Sequence, residues 1–379
     1  MTEAHGSVAV VGAGHAGLCV VAALRRVGVT PVVYDDAGRL GDTWRARWDG
    51  LRLNTERDLS LVPDTSIDPS VGRWPTASEW ADHIESAAEQ LGVGGEVDRI
   101  EERVSAVERS PGGGWLVRTE TATRVHESVV VATGRNRLGV RPEWQGVDHC
   151  DIEIVHSSTF RSPRRFAGRR VLVVGGGNSG TEIAHLLAEA GVDTTLSMRS
   201  RPVWSKRELF GTTLTRLAVR SRRLPDRMVD VSGRLMQAVL FRGLREAGLA
   251  PADHRLSQVA HASGATLDSG FVDDVRSGRV AVVAGVDRFD RASVVLDDGS
   301  RIEVDVVVAA TGFRPGLDEI LPAELVRDGW PIVTESPFEQ APGLFTAGLN
   351  PARLTAFHPD FITEGAEIAT AVTDRLAAR

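Results

Sequence analysis

The sequence predicts an α/β protein with two Rossmann-like units, the second inserted into the first. Two stretches carry this prediction, because each is a short apolar run that leads into a glycine-rich turn and then into a segment of helical period. They are Val8–Val11 with Gly12–Gly17, and Val171–Val174 with Gly175–Gly180. A strand, a glycine turn and a helix in this order are typical of a βαβ unit that binds a dinucleotide.

The segment after each turn continues the βαβ pattern. Both helical segments stop at a glycine, and a second apolar run follows each of them. The predicted helices are Leu18–Val27 and Thr181–Ala190, and the predicted second strands are Pro31–Tyr34 and Thr194–Met198. Each half of the sequence therefore contains the beginning of its own parallel sheet.

Two further apolar runs end alike, since Val129–Ala132 and Val304–Ala310 are both followed by Thr-Gly. Continuous β-branched runs of this kind indicate buried strands. No low-complexity linker separates the units. We predict one domain formed by residues 1–163 and 304–379, and a second formed by residues 164–303.

Composition excludes several classes of protein. The 379 residues include 44 basic and 51 acidic side chains, a net charge of −7, so we expect no nucleic-acid partner. The two cysteines form no Cys-x-x-Cys pair, which argues against a cysteine-based zinc site and against a dithiol relay. The start of the chain has no basic, apolar leader, and no apolar run approaches the ~20 residues of a spanning helix. We therefore expect a cytoplasmic protein without a transmembrane segment.

The glycines of the first turn have separate tasks. Gly12 allows the tight turn, Gly14 lets the backbone approach a pyrophosphate, and Gly17 lets the helix pack closely on the strand. The anion then lies at a helix N-terminus, where unpaired N–H groups point towards it. Asp35 follows the second strand at about the distance expected of an acid that binds a ribose diol.

The second turn differs in the charge that follows it. No acid comes after the strand Thr194–Met198, where Arg199, Arg201, Lys206 and Arg207 occur instead. Guanidinium groups suit a 2′-phosphate, so this pattern favours NADP over NAD, with a solvated basic loop as the alternative. An acidic site followed by a basic one predicts FAD and NADPH, with the NADPH domain inserted in the FAD domain.

Four further segments resemble the class B flavin-dependent monooxygenases, and most closely the flavin-containing monooxygenase branch that includes the plant YUCCA enzymes. Leu40–Trp44 is similar to the family's G-G-x-W segment, and Trp48–Thr55 to the segment that runs under the flavin. Ile154–Phe160 is similar to its H-x-x-x-aromatic stretch, and Ala310–Pro315 to its A-T-G-Y linker.

The chain departs from the family pattern at a few positions. Asp42 replaces the second glycine of G-G-x-W, and Phe313 replaces the linker tyrosine. Upstream of His156, the family's F-x-G appears as Cys150-Asp151-Ile152. The fingerprint that precedes the second domain is therefore half present.

The glycine turns and the resemblance together give a set of expected cofactor-binding residues. They are Gly12, Gly14, His15, Ala16, Gly17, Asp35, Asp36, Thr43, Trp44, Leu53, Asn54, Val104, Thr133, Gly134, Gly175, Gly177, Asn178, Ser179, Gly180, Arg199, Ser200, Arg207, Thr311, Gly312, Phe313 and Gly348.

Asn54 is the expected catalytic residue. In the flavin-containing branch, an asparagine in this segment lies beside the reactive C4a edge of the flavin, whereas YUCCA-like members usually carry histidine there. A carboxamide could hydrogen-bond an oxygen adduct without offering an acidic proton. The alternative is a turn-capping asparagine. For His156, a structural position and a role at the nicotinamide both remain open.

The resemblance implies that NADPH reduces FAD, that O2 forms a C4a-(hydro)peroxyflavin, and that one oxygen passes to a small organic substrate. Heteroatom oxygenation and carbonyl chemistry, whether Baeyer–Villiger insertion or decarboxylation of a 2-oxo acid, stay open. An NADPH-dependent reductase that serves a carrier protein is a rival enzyme. A non-catalytic nucleotide sensor is a third interpretation.

The stretch Glu208–Leu249 has apolar residues at helical spacing and several nearby arginines. It could line a substrate channel, form a lid, form the face of a homodimer, or contact a membrane surface. Ordinary core packing is the remaining interpretation. Its position relative to solvent distinguishes these possibilities.

Overall fold

A computed structural model divides the chain into two compact units. Unit 1 comprises Met1–Arg45, Gly50–Leu138 and Phe313–Arg379, and unit 2 comprises Ala46–Asp49 and Gly139–Gly312. The structure describes residues 3–4, 7–209, 211–221, 224–241, 249, 252–260, 265–332, 339–350 and 358–378.

Unit 1 contains a six-stranded sheet in which five neighbouring strands are parallel and one edge strand is antiparallel. In spatial order the strands are Glu339–Ala341, Leu344–Thr346, Ser128–Val131, Val8–Val11, Val32–Tyr34 and Arg99–Ile100. The strand that leads into the first glycine turn is central, with Ala9 opposite both Val32 and Val129.

Both faces of this sheet are buried, which explains its continuous apolar strands. Because successive side chains alternate between faces, Val8 and Val10 belong to one core cluster and Ala9 and Val11 to another. Helices contribute to the first cluster and an antiparallel sheet to the second. The helices of unit 1 are His15–Arg26, Asp42–Arg45, Ala77–Gln90 and His358–Ala377, and the second sheet orders Glu3–Ala4, Thr123–His126, Trp115–Arg118 and Ala106–Arg109.

Unit 2 contains a five-stranded sheet that is entirely parallel. In spatial order its strands are Glu153–His156, Val306–Ala309, Arg170–Val174, Asp193–Ser197 and Val280–Val283. Two parallel sheets with helices confirm the predicted α/β class and the two Rossmann-like units.

The extent of unit 2 differs from the predicted segment 164–303. Val306–Ala309 pairs on one side with Arg170–Val174 and on the other with Glu153–His156, so it completes the sheet of unit 2. Because of this pairing, the long segment of unit 2 starts at Gly139 and ends at Gly312. The physical reason is that the backbone N–H and C=O groups of a buried strand need hydrogen-bond partners on both sides. The neighbouring strands of unit 2 provide those partners.

The remaining elements of unit 2 lie outside this sheet. An antiparallel sheet is formed by Val286–Phe289, Ser293–Leu296 and Arg301–Glu303, and two-stranded pairs by Trp204–Ser205 with Thr266–Leu267 and Glu208–Leu209 with Thr212–Thr213. The helices are Asn178–Glu189, Leu214–Ser221, Asp226–Leu240, Leu256–Ala260 and Phe271–Arg276.

Candidate cofactor-binding sites

The first glycine turn of unit 1 is built as its three glycines predict. Gly12 has φ +104°, and a Cβ there would lie 2.6 Å from the carbonyl oxygen of Ala132. A Cβ on Gly17 would collide with the carbonyl oxygen of Gly12. Around Gly14, by contrast, no atom lies within 4 Å of the Cβ position. Gly12 and Gly17 therefore close the turn, and Gly14 leaves room for a ligand.

The helix that follows this turn has no side-chain cap. Its N-cap is Gly14, no acid occurs in the first turn, and the first N–H groups have no partner within the helix. The helix Ala77–Gln90 is different, because Thr76 and Glu79 form a complete capping box. The uncapped donors of His15–Arg26 are suited to an anion such as the pyrophosphate of FAD.

Asp35 lies at the end of the second strand, beside the turn. Its Oδ2 accepts a 2.6 Å hydrogen bond from the Ala13 N–H, and its Oδ1 accepts a 3.0 Å bond from the Ala37 N–H. Burial raises the pKa of this carboxyl, while the backbone donors act in the opposite direction. Asp36 is exposed and forms a 3.2 Å ion pair with Arg103. The role of Asp35 and Asp36 at a ribose stays a prediction.

The side chain of His15 belongs to the protein core. Its ring lies edge-on to Trp80 and Phe361, with centroid distances of 5.2 Å in both cases. Ala16 stands next to Gly348, where an added Cβ would approach within 2.9 Å of the Ala16 Cβ.

Thr133 and Gly134 follow the strand Ser128–Val131 and lie beside the first glycine turn. Gly134 is exposed with φ +85° and has open space at its Cβ position. The Thr133 hydroxyl is buried and finds no hydrogen-bond partner within the described residues. These features fit a cradle that a bound dinucleotide would complete.

The segment Leu40–Trp44, which resembles the family's G-G-x-W, overlaps the short helix Asp42–Arg45. Gly41 is needed there, because its φ is +89° and a Cβ would lie 2.6 Å from the Ala81 carbonyl oxygen. Asp42, the departure from the family pattern, accepts a 3.2 Å bond from Arg45. The remaining predicted residues of this segment are Thr43, which is exposed, and Trp44, which packs against the core.

Leu53 and Asn54 are neighbours with opposite environments. Leu53 is 3% exposed within the core, and its N–H donates to the Pro75 carbonyl oxygen at 2.8 Å. Asn54 is exposed, and within the part of the chain that the structure describes its amide has no hydrogen-bond partner. This arrangement speaks against a turn-capping asparagine. Val104, also predicted at the cofactor, is buried in the second core cluster of unit 1.

The second glycine turn repeats the geometry of the first. Gly175 has φ +127° and packs against the Ala310 carbonyl, and a Cβ on Gly180 would collide with the Gly175 carbonyl oxygen. Gly177 is the N-cap of Asn178–Glu189 and again has open space and no side-chain cap.

In the first turn of the helix Asn178–Glu189, the side chain of Asn178 already forms a hydrogen bond within the protein. Its Oδ1 accepts a 2.7 Å hydrogen bond from the Leu267 N–H. Ser179 is half-buried beside it. Asn178 therefore fixes the loop that faces the turn.

The basic residues after the strand Asp193–Ser197 are not equivalent. Lys206 lies 2.5 Å from the buried Asp268, and the Arg201 guanidinium lies 3.9 Å from Asp253. Arg199 is exposed and forms no ion pair with any described residue. Arg199 is therefore the cation best placed for a 2′-phosphate, with Ser200 exposed beside it.

Arg207 is half-buried and faces a carboxyl. Burial raises the pKa of Glu182, while the positive charge of Arg207 acts in the opposite direction. Glu182 also accepts a 3.4 Å bond from the indole N–H of Trp48. A phosphate would have to compete with Glu182 for Arg207.

His156 lies in unit 2, where both of its ring nitrogens form hydrogen bonds. Its Nδ1 accepts a 3.1 Å bond from the Ser158 N–H, so its Nε2 carries the proton and donates to the Gly312 carbonyl oxygen at 3.1 Å. Burial lowers the pKa of the imidazole, which favours its neutral form. The Thr311 hydroxyl donates to the Val140 carbonyl, and Phe313 follows half-buried.

Sequence reasoning missed Ala132 and Ala310 as parts of the turns. Their carbonyls contact the first glycine of each motif, and their methyl groups lie 3.5 and 3.4 Å from the Cβ positions of Gly17 and Gly180. The signal was present, because both alanines belong to the repeated Ala-Thr-Gly.

Two uncapped glycine turns, each at the end of a central parallel strand, define an oxidoreductase that uses two dinucleotides. The chain belongs to the FMO-like (flavin-binding monooxygenase-like) family, whose profile matches residues 5–321. It is an FAD-containing, NADPH-dependent monooxygenase that uses O2. The oxygenase prediction is confirmed, and the carrier-protein reductase is not supported.

The relatives agree with this assignment. The chain is 30% identical over 374 residues to the probable indole-3-pyruvate monooxygenase YUCCA9 of Arabidopsis thaliana, covering 95% of this chain and 88% of that protein. It is 32% identical over 333 residues to the indole-3-pyruvate monooxygenase YUCCA8 of Oryza sativa subsp. indica, covering 84% and 78%. The fold matches a flavin-containing monooxygenase from Stenotrophomonas maltophilia, with TM-score 0.77, 23% identity and coverage of 98% and 99%.

Two absences hold for the described ranges. No helix there has both the length and the apolar composition needed to cross a membrane. No group of three or more metal-ligating side chains is found in the same residues.

Proposed function

We propose that the first glycine turn holds FAD and the second holds NADPH. The support is the matched geometry, in which Gly14 and Gly177 each leave open space before an uncapped helix. The unpaired Arg199 supports the second assignment, because a guanidinium suits the 2′-phosphate. Held at these two turns, NADPH would supply hydride and FAD would supply the means to activate O2.

Paired alanine substitutions test this placement. Both glycines have negative φ and room for a methyl group, so Gly14→Ala and Gly177→Ala should fold and differ only in ligand binding. We expect Gly14→Ala to purify with less flavin. Gly177→Ala should stay yellow but bind NADPH more weakly. The reverse pattern would exchange the two assignments.

We further propose that the substrate is a 2-oxo acid, which the enzyme decarboxylates oxidatively. In the balanced reaction the 2-oxo acid, O2, NADPH and a proton give a carboxylic acid one carbon shorter, CO2, NADP+ and water. The support is the relatives named for indole-3-pyruvate, which match 84–95% of this chain. Asn54 favours a second candidate, the oxygenation of an amine or thioether, because its amide is exposed where the branch places an asparagine.

Product analysis separates the two candidates. The holoenzyme is supplied with NADPH and O2 and with indole-3-pyruvate, phenylpyruvate, a tertiary amine or a thioether. Release of CO2 with one carboxylic acid per NADPH supports the 2-oxo acid. Formation of an N-oxide or sulfoxide, with no CO2 from either 2-oxo acid, contradicts it.

The expected cellular setting completes the proposal. We propose a cytoplasmic enzyme that has no nucleic-acid partner, because the chain lacks a basic surplus. A homodimer remains a prediction, which light scattering of the purified protein would test.

A further inference from the structure

The helix Asp226–Leu240 presents an apolar face to solvent. Among the described residues, seven large apolar side chains are exposed, and five of the seven lie on this helix or just before it. Those five, which we call the apolar stripe, are Leu224, Met228, Val231, Leu235 and Val239, with exposed fractions from 47% to 65%. Such a concentration in one place marks an interaction surface.

The stripe has a regular helical geometry. Its members recur at intervals of three or four residues, which places them on one side of the helix. Core packing is therefore the wrong interpretation for these positions. Phe210, Arg222 and Arg223, which belong to the same predicted stretch, lie outside the described residues.

The opposite side of this helix is fastened to unit 2. Gly233 is buried, and a Cβ there would lie 2.7 Å from the Cβ of Leu256. Asp230 also points inward and accepts a 3.0 Å bond from the Ser257 N–H. Because the inner face is occupied in this way, the helix holds the stripe outward.

Positive charges border the stripe. Arg227 and Arg234 are exposed and stand seven residues apart, so they lie on the same side of the helix. Arg220 is exposed on the preceding helix, Leu214–Ser221. Of the two acids of this helix, Asp230 is turned inward and Asp226 is exposed at its start, and the chain as a whole carries a charge of −7. The arginines therefore concentrate positive charge where the average surface is negative.

We propose that the apolar stripe and its arginines bind the surface of an anionic lipid bilayer. An apolar face with basic residues at its border is the arrangement of helices that lie in the membrane interface. A second copy of the chain fits less well, because it would bring arginines together. One 15-residue helix is also only about 22 Å long. The area that its exposed face could bury is therefore smaller than the roughly 800 Å² per partner of a standard interface.

Vesicle flotation of the full-length holoenzyme tests the proposal. The probes are phosphatidylcholine vesicles with and without phosphatidylglycerol, at low and high salt. The variant Val231→Ser with Leu235→Ser changes two exposed side chains and should fold normally. Val27→Ser is the matched control, since Val27 is also exposed, at 46%, but lies in unit 1.

We expect binding to the anionic vesicles that weakens in high salt. The double variant should lose about tenfold in binding, and Val27→Ser should bind like the original protein. Arg227→Gln with Arg234→Gln should weaken binding without changing flavin content. No binding to anionic vesicles overturns the proposal, as does equal binding by the double variant. Concentration-dependent dimers that the double variant abolishes, without vesicle binding, would assign the stripe to a second copy instead.

Discussion

Arg170 and Asp305 join the starts of two adjacent parallel strands in unit 2. The Arg170 N–H donates to Asp305 Oδ2 at 2.8 Å, and the Arg170 guanidinium donates to Oδ1 at 2.8 Å. The Asp305 N–H returns a 2.9 Å bond to the Arg170 carbonyl oxygen. The pair fixes the register in which Val306–Ala309 enters the sheet, and it attaches that strand to unit 2.

The Arg170–Asp305 pair should make the stability of the fold depend on pH. The hydrogen bonds from Arg170 hold the pKa of Asp305 at about 2, below its ordinary 3.8. A depressed carboxyl pKa stabilises the fold at pH values above the unfolded pKa, and this contribution is lost as the pH falls from about 4 towards 2. Asp305→Asn should lower Tm by about 2 °C at pH 7, and the difference should disappear near pH 2.

Thermal melts across this pH range measure that effect. Asp151→Asn is the control, because the Asp151–Arg291 pair has exposed fractions of 67% and 87% and a single 3.1 Å contact. It should leave Tm unchanged at every pH. An Asp305→Asn difference that grows in acid would contradict the assigned pKa direction.

Arg199→Ala should discriminate between the two nicotinamide cofactors. A charge-assisted bond to a 2′-phosphate contributes about 1.5–3 kcal/mol, so the Kd for NADPH should rise roughly 10- to 100-fold while that for NADH stays nearly constant. Titration of each nucleotide measures this. Arg201→Ala is the control, because the Arg201 guanidinium already pairs with Asp253 at 3.9 Å, and it should change neither Kd appreciably. Equal weakening of NADPH and NADH would remove Arg199 from the phosphate site.

Asn54→Ala should uncouple NADPH oxidation from oxygenation. Asn54 is exposed and makes no hydrogen bond within the described chain, so its loss should alter stability by less than about 0.5 kcal/mol. Flavin content should stay the same, while hydrogen peroxide formed per NADPH rises and product falls. Parallel assays of peroxide and product measure the ratio. Unchanged coupling, with Tm lowered by several degrees, would show that Asn54 serves the fold instead.

Gly17→Ala should destabilise unit 1 by about 1–3 kcal/mol or more, because its methyl group would collide with the Gly12 carbonyl oxygen. Denaturant unfolding measures the change. Gly72→Ala is the matched control, since nothing lies within 4 Å of that Cβ position. If both variants unfold alike, the close approach of helix and strand is not what requires glycine at position 17.

The sequence was sufficient to predict both glycine turns, because their conformations depend on local contacts. The close packing of Gly17 against Gly12 and of Gly180 against Gly175 lies within each turn, whereas Ala132 and Ala310 approach from strands far along the chain. The helix bounds shifted by a few residues. The first helix begins at His15 rather than Leu18, because the uncapped first turn contains no capping residue to mark its start.

Long-range pairing was harder to predict. The end of unit 2 depends on which sheet accepts Val306–Ala309, and strand partners 135 residues apart leave no local pattern. The separation of Arg199 from Arg201 and Lys206 likewise depends on Asp253 and Asp268, which lie far along the chain. Residue types predicted a basic cluster, and the tertiary partners determine which cation stays available.

The two uncapped helices make cofactor supply a condition of stability. The helix Ala77–Gln90 satisfies its own first N–H groups through Thr76 and Glu79, whereas His15–Arg26 and Asn178–Glu189 obtain no such bonds from their side chains. A ligand present at about a thousand times its Kd raises the free energy of unfolding by roughly 4 kcal/mol. Cells short of riboflavin should therefore hold less of this enzyme, because proteases remove the FAD-free form faster, with cleavage beginning near the first glycine turn.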